Sequence, residues 1–100
     1  MKDAKKKTEG SWVIMTLNGG FYYFGREIDS EEGYLTLVEA AMFGGYSGGA
    51  GMPGVSRGAK DAKVNLDRFE PTAKISHPIS AVISVAESIN LYEFKGTTQR

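Results

Sequence analysis

Apolar residues occur along this chain in short blocks, which glycine-rich or acidic stretches separate. The first block, Ser11–Leu17, is apolar and contains β-branched residues, and the second, Phe21–Ile28, is rich in aromatic residues. Between them lie Asn18, Gly19 and Gly20, which readily adopt the positive φ angles that a tight hairpin turn needs. The pattern therefore predicts two antiparallel strands joined by a tight turn.

A third strand and a bend are also predicted in this first half. After an acidic turn at residues 29–33, residues 34–40 place Leu35 and Leu37 on one face of an extended chain. Three successive strands with short turns predict a β-meander. Gly25 lies inside the second strand, where glycine usually marks a bulge or a sharp bend, as at a barrel corner.

The second half of the chain predicts further short strands. Residues 62–69 place Val64 and Leu66 on one face of a strand. Residues 73–76 predict a short extended piece, and residues 91–94 predict a final short strand.

Residues 79–89 allow two interpretations. Ser76 as N-cap and Pro78 in the first helical position are typical of a helix start. The run of β-branched residues that follows favours a strand instead, with a helical turn after Val85. We expect the strand.

These elements predict a mainly β fold. Five or six short strands, with turn glycines and no long amphipathic helix, indicate a small, strongly bent barrel with a long glycine-rich loop. We expect residues 11–96 to form this single barrel domain and residues 1–10 to form a flexible basic tail. Sheet edges left open are often covered by subunit association, so we also expect a homo-oligomer.

The charge is unevenly distributed although the formal net charge is zero. Lys2, Lys5, Lys6 and Lys7 lie near the start, and the remaining chain has eight basic and eleven acidic residues. Such a body binds polyanions poorly, because that affinity comes mostly from Lys and Arg releasing phosphate counterions. The lysine run is either a nucleic-acid arm or, as we expect, a solvated terminus.

The residue inventory excludes several kinds of chemistry. The sequence has no cysteine and one histidine, His77, which excludes disulfides and thiolate metal sites and most transition-metal and Ser-His sites. The acidic residues Asp29, Glu31 and Glu32 fit either a hard-cation site or, as we expect, a solvated turn. No apolar run reaches the roughly 18 residues that a membrane span needs. We expect a cytoplasmic protein that has no membrane partner, cofactor or metal and is not an enzyme.

Part of the sequence resembles the Sm-like proteins, whose first motif combines spaced glycines with a leucine-rich strand. The matching residues are Leu17, Gly20, Gly25, Leu35, Leu37 and Ala40. Residues 79–85 align with the closing strand of the family's second motif. The resemblance implies an Sm-like or SH3-like barrel and a ring of subunits.

The sequence departs from the Sm-like pattern where that family contacts RNA. Glu31, Glu32 and Tyr34 stand where the family has its acidic or amide pair, and residues 76–78 replace a basic-glycine turn. Binding of RNA or single strands, through the aromatic strand and the lysine tail, is therefore an alternative function. A structural or protein-interaction module is another.

The chain is also similar to short phage-encoded proteins of uncharacterised function. The shared features are Tyr23, Phe24 and Gly25 at the end of an aromatic strand, a leucine-rich strand over residues 35–40, and an Ile/Val strand over residues 82–85. This resemblance implies a phage accessory role. Several small oligomeric phage proteins sequester nucleotide signals of bacterial immunity. We therefore expect an anti-defence role of this kind.

The segment of residues 44–58 holds seven glycines. It contains the spacing Gly49-x-Gly51-x-x-Gly54, but a dinucleotide-binding fingerprint needs a strand before it and a helix opening within it. Pro53 and the absence of a helical pattern argue against that site. The segment is then either a mobile or interface-ordered connection or a loop whose N–H groups approach a phosphate.

We expect ligand contacts to come from this segment and its flanks. Arg57 and Lys60 would neutralise phosphate, and Phe43 or Tyr46 would stack on a base. The full predicted set is Phe43, Tyr46, Ser47, Gly49, Gly51, Met52, Arg57 and Lys60. These residues predict a non-enzymatic, oligomeric binding protein for a nucleotide or a nucleotide-derived signal.

Overall fold

The computed structural model describes residues 10–100, so the predicted basic tail lies outside the described residues except for Gly10. The described chain forms seven strands, one short α-helix and two 3₁₀ turns. The strands are β1 (Ser11–Leu17), β2 (Phe21–Ile28), β3 (Tyr34–Ser47), β4 (Lys63–Arg68), β5 (Lys74–Pro78), β6 (Val82–Glu87) and β7 (Thr97–Gln99). The helix is α1 (Met52–Ser56), and the 3₁₀ turns are Ile79–Ala81 and Leu91–Glu93.

The predicted meander is confirmed. Strands β1, β2 and β3 pair antiparallel in sequence order. The first hairpin closes with Leu17 opposite Phe21, and both Gly19 (φ 89°) and Gly20 (φ 84°) lie in the left-handed region that favours glycine.

Strand β3 is longer than predicted and forms two ladders on the same edge. Its first part, through Val38, pairs with β5, and its second part, from Ala41, pairs with β4. The junction is a bend, because Glu39 has φ 50° and the register with β2 shifts between Phe24 and Arg26. The bend predicted at Gly25 is thereby confirmed.

Side chains hold this bend. Arg26 donates to the Glu39 carboxylate through Nε at 3.0 Å and Nη2 at 2.7 Å. The hydroxyl of Tyr92 donates to the Glu39 carbonyl at 2.6 Å. A Cβ at Gly25 would lie 3.0 Å from the Val38 carbonyl oxygen, so the close backbone approach favours glycine there.

The sheet has an open path rather than a closed barrel. Its strand order is β6-β1-β2-β3-β4-β7, with β5 beside the first part of β3 and β7 parallel to β4. The mainly β class is confirmed, while the described ladders do not close because β5 and β6 do not pair with each other. The number of strands exceeds the predicted five or six, and β7 extends the sheet past residue 96.

Both faces of the sheet bury apolar side chains. One core contains Ile14, Phe24, Ala41, Val55, Ala62, Val64, Leu66 and Leu91 and lies on the side that α1 covers. The other contains Val13, Met15, Leu17, Leu37 and Ala40. Alternate residues of β1 point into the two cores, which is the two-residue period of a strand buried on both faces.

The structure does not show the predicted glycine-rich loop as one continuous loop. Gly44 and Gly45 belong to β3, and α1 follows the turn at residues 48–51. A proline is compatible with the first turn of a helix because its missing N–H has no intrahelical partner there, so Pro53 does not prevent α1. Only short turns remain of the loop.

The end of the chain differs from the sequence prediction in two places. The late apolar segment forms strand β6 as expected, but its 3₁₀ turn precedes the strand instead of following Val85. The strand predicted over residues 91–94 is absent, and Leu91–Glu93 form a 3₁₀ turn instead. The Asn90 side chain accepts a hydrogen bond from the Tyr92 N–H at 2.9 Å and favours a turn there.

Candidate ligand-binding site

Close backbone packing accounts for several of the clustered glycines. A Cβ added to Gly54 would overlap the carbonyl oxygen of Gly49, and one added to Gly48 would overlap that of Asp61. Glycine therefore lets the chain between β3 and β4 fold onto itself and onto the start of β4.

Three of the glycine amides in this segment already donate hydrogen bonds within the fold. Gly51 N–H donates to Gly48 O, Gly54 N–H donates to Gly51 O, and Gly58 N–H donates to Val55 O, each at 3.1 Å. A phosphate cradle needs N–H groups directed at the ligand. The glycine segment therefore contributes to the shape of the site and offers few N–H groups to a ligand.

Three aromatic side chains form a cluster next to α1, which we call the aromatic cluster: Tyr22, Phe43 and Tyr46. The Tyr22 ring centroid lies 5.9 Å from that of Phe43 and 5.7 Å from that of Tyr46. Tyr46 remains 41% exposed. Hydrogen bonding with Tyr22 raises the pKa of Tyr46 above its ordinary value, so the Tyr46 phenol is neutral near pH 7.

A cleft of about 320 Å³, the α1 cleft, lies between α1 and the strands β1, β2 and β6. Its lining residues are Ile14, Thr16, Tyr22, Met52, Pro53, Ser56, Ser84 and Ala86. None of these side chains carries a formal charge, and the hydroxyls among them stand beside apolar walls. Such a surface suits a flat, uncharged ring that accepts or donates a few hydrogen bonds.

Specific contacts hold α1, which forms one wall of the α1 cleft, in place. Val55 is fully buried in the core on this side of the sheet. The Ser56 carbonyl accepts hydrogen bonds from the Ser88 hydroxyl at 2.9 Å and the Ile89 N–H at 3.0 Å. The short helix is therefore fixed to the chain that follows β6, and the cleft has a preformed shape.

A second cleft, the Lys63 cleft, has a volume of about 200 Å³. It is lined by Gly45, Tyr46, Ser47, Lys63, Val64, Asn65, Gly96 and Thr98. Its cation, Lys63, is exposed and pairs with Ser47 across the β3–β4 ladder. This cleft combines a positive charge with the exposed edge of the aromatic cluster.

The structure brings together part of the predicted site. Phe43 and Met52 pack against the same core as Tyr22, and Tyr46 and Ser47 line the Lys63 cleft. Gly49 is buried, and Gly51 is the N-cap of α1.

The two predicted cations do not join that group. Arg57 donates to the Pro53 carbonyl at 3.3 Å, and neither Arg57 nor Lys60 lines the α1 cleft or the Lys63 cleft. Their phosphate contact stays a prediction. Sequence reasoning missed Thr16, Ser84 and Lys63, because only the β1–β6 and β3–β4 pairings place them at the clefts.

The most voluminous of the described clefts lies elsewhere, with a volume of about 570 Å³. Its lining includes Asp29, Glu31 and Lys74. The two carboxylates disfavour a phosphate-bearing ligand there. Among residues 10–100, no cluster of three or more acidic or histidine side chains is arranged to hold a metal ion.

The aromatic strand does not present a pair of exposed rings for stacking. Phe21 is 54% exposed, but Tyr22 and Tyr23 are half-buried on opposite faces and Phe24 is fully buried. Tyr23 stacks on Phe69 with ring centroids 6.1 Å apart. Neither Phe21 with Tyr23 nor Tyr22 with Phe24 therefore forms the exposed aromatic platform that an RNA-binding sheet uses.

His77 lies on β5, and its ring packs edge-on against Tyr23 with centroids 4.5 Å apart. Its Nε2 atom is buried and has no hydrogen-bond partner among residues 10–100. Burial lowers the pKa of His77 below the usual 6.5. The imidazole is therefore packed in neutral form, as a structural group.

We expect the stability of the protein to fall on mild acidification because of His77. The unfolded imidazole binds its proton near pH 6.5 and the folded one at lower pH. The contribution is therefore complete above about pH 7.5 and is lost as the pH falls from about 6.5 through the lower pKa of the folded imidazole. Urea unfolding between about pH 7.5 and about pH 5.5 measures it, since carboxylates titrate mostly below this range. The variant His77→Gln should lose this dependence. Equal pH dependence in both proteins would contradict the assignment.

No protein-family model matches this sequence, and a search of curated proteins finds no significant match. Within residues 10–100, the structure has no helix that is both long and apolar enough to cross a membrane.

Proposed function

We propose that this protein is a non-enzymatic, homo-oligomeric binding protein that captures a nucleotide or a nucleotide-derived signal. One observation carries the proposal. Tyr22 lines the uncharged α1 cleft, Tyr46 lines the Lys63 cleft, and their rings meet edge to face with centroids 5.7 Å apart. The two clefts thus border the same aromatic cluster, one suited to a ring and the other to an anion.

The chemistry of the two clefts is complementary. In the α1 cleft, Met52 and Tyr22 offer apolar surface to a base, and the hydroxyls of Thr16 and Ser84 offer hydrogen bonds. In the Lys63 cleft, the ammonium group of Lys63 attracts phosphate, with Asn65 beside it.

The lining supports binding rather than turnover. The hydroxyls of the α1 cleft have no histidine or carboxylate in the same lining that would act as a general base. A ligand held there would be released unchanged, which is what sequestration requires. The phage accessory and anti-defence role implied by the sequence resemblance stays a prediction.

The proposal is tested by thermal unfolding against a panel of nucleosides and mono-, di- and cyclic nucleotides. At a ligand concentration of about 100 times the Kd, binding stabilises the folded state by about 2.7 kcal/mol. For a domain of this size that raises the Tm by roughly 10–20 °C. The ligand should be recovered unmodified after incubation.

A matched pair of lysine variants locates the phosphate. Lys63→Gln should weaken binding of the phosphorylated ligand by about tenfold and leave the binding of its nucleoside unchanged, because only the charge contact is lost. Lys74→Gln removes the same charge from the cleft that contains Asp29, so it should have no effect. If no ligand of the panel raises the Tm, the proposal is overturned. Equal effects of the two lysine variants would contradict the assignment of Lys63 to the phosphate site.

A further inference from the structure

Strand β6 has one unpaired edge. It pairs antiparallel with β1, and no described strand pairs with its other side. The backbone N–H and C=O groups along such an edge form a template for another strand.

The β6 edge also lacks the usual protection against pairing. From Val82 to Ala86 it has no charged residue and no proline. Its side chains Ile83 and Val85 are 63% and 39% exposed, and Ile79 in the preceding turn is 51% exposed. These apolar side chains border the open edge, and monomeric proteins usually place charges or prolines in such positions.

The other sheet edges are guarded. Strand β5 carries Lys74 at its start and Pro78 at its end, and proline cannot donate to a ladder. Strand β7 has three residues, Thr97–Gln99, followed by Arg100. Of the described edges, β6 therefore fits best against its own copy, because another edge would bring a charge or a proline into the ladder.

We propose that β6 pairs antiparallel with β6 of a second copy of this chain about a two-fold axis. A register centred on Ser84 places the two Ser84 residues opposite each other and Ile83 opposite Val85 of the second copy. Exposed apolar residues then meet across the new ladder, which stabilises an antiparallel pair.

The charges also suit this register. Glu87 is the only charged residue of β6, and it lies three positions from Ser84. The two Glu87 carboxylates of the dimer are then about 20 Å apart along the ladder, given roughly 3.4 Å per residue, so their repulsion is screened.

The pairing has a consequence for the ligand site. Ser84 and Ala86 line the α1 cleft, so the clefts of the two copies would flank the two-fold axis. The placement of a bound ligand on each side of the axis rests on the proposed function, whereas the strand pairing does not.

Solution mass without any nucleotide tests the pairing separately from ligand binding. The chain of 10.8 kDa should sediment with twice that mass at micromolar concentration. Ile83→Lys should shift it to the monomer, because a lysine on an open edge opposes pairing. Thr98→Lys places the same charge at the opposite edge of the sheet and should leave the dimer intact.

A cross-linking variant provides a second readout if Ile83→Lys fails to fold. The sequence has no cysteine, so Ser84→Cys introduces one thiol per chain. Oxidised glutathione should convert Ser84→Cys to a covalent dimer, since directly opposed Cβ atoms lie about 5 Å apart. On a non-reducing denaturing gel, Thr98→Cys should run as a monomer, because the pairing of β6 does not bring its two thiols together. A monomeric wild-type mass, an unchanged mass for folded Ile83→Lys, or equal cross-linking of the two cysteine variants would overturn the proposal.

Discussion

Replacing Gly54 with alanine is expected to destabilise the protein by about 3 kcal/mol, at the upper end of the cost of overpacking a close-packed site. The added Cβ would overlap the carbonyl oxygen of Gly49 and lie 2.5 Å and 2.8 Å from the C and Cα atoms of the same residue. All three are backbone atoms of Gly49, which is buried, so no side chain can rotate away. Urea unfolding of the wild type and the variant measures the difference.

Gly45→Ala is the matched control for this prediction. Gly45 belongs to the same glycine-rich segment, yet the nearest atom to a Cβ there is Asn65 Nδ2 at 4.0 Å. Its φ angle is not in the left-handed region, so alanine fits without backbone strain. We expect a change below about 0.5 kcal/mol. Similar values for the two variants would mean that composition, and not the contact of Gly54 with Gly49, determines the stability of this segment.

Replacing Phe24 with alanine is expected to cost about 3–5 kcal/mol. Phe24 is fully buried, stacks on Trp12 with ring centroids 5.1 Å apart, and meets Tyr92 edge-on at 5.4 Å. Its removal leaves a cavity between β1, β2 and the chain after β6, where the surrounding rings are too large to collapse into it. Because small domains have only about 5–15 kcal/mol of stability, the variant should be close to unfolding at 37 °C.

Phe21→Ala is the control in the same strand. Phe21 is 54% exposed, so its truncation removes little buried area. We expect a loss of about 1 kcal/mol or less. Thermal unfolding by circular dichroism distinguishes the two variants, and a loss for Phe24→Ala no larger than that for Phe21→Ala would contradict the assigned core.

The local parts of the fold could be predicted from the sequence. The Asn18–Gly20 turn, the bend at Gly25 and strand β4 follow from residues that are neighbours in the chain. Strand β7 could not, because its polar sequence becomes a strand only by pairing with β4. Helix α1 was missed since its five residues contain Pro53 and Gly54, which usually oppose a helix.

The same distinction applies to the candidate site. Tyr46 and Met52 could be predicted as contact residues because they are the large side chains of a glycine-rich segment. Lys63 and Ser84 could not be, because they reach the clefts through ladders with distant segments. The charge of Arg57 favours phosphate contact, but its guanidinium donates a hydrogen bond to the carbonyl of Pro53, one helical turn earlier.

The positions of β6 and β7 determine the order in which the sheet can be completed. They follow the other strands in residues 10–100, yet they form the two opposite ends of the strand path. While the chain emerges from a ribosome, the meander and β4 can pair first, with the outer edges of β1 and β4 still open. Folding of both edges therefore waits for the same late segment, and until it arrives the nascent chain is most exposed to aggregation.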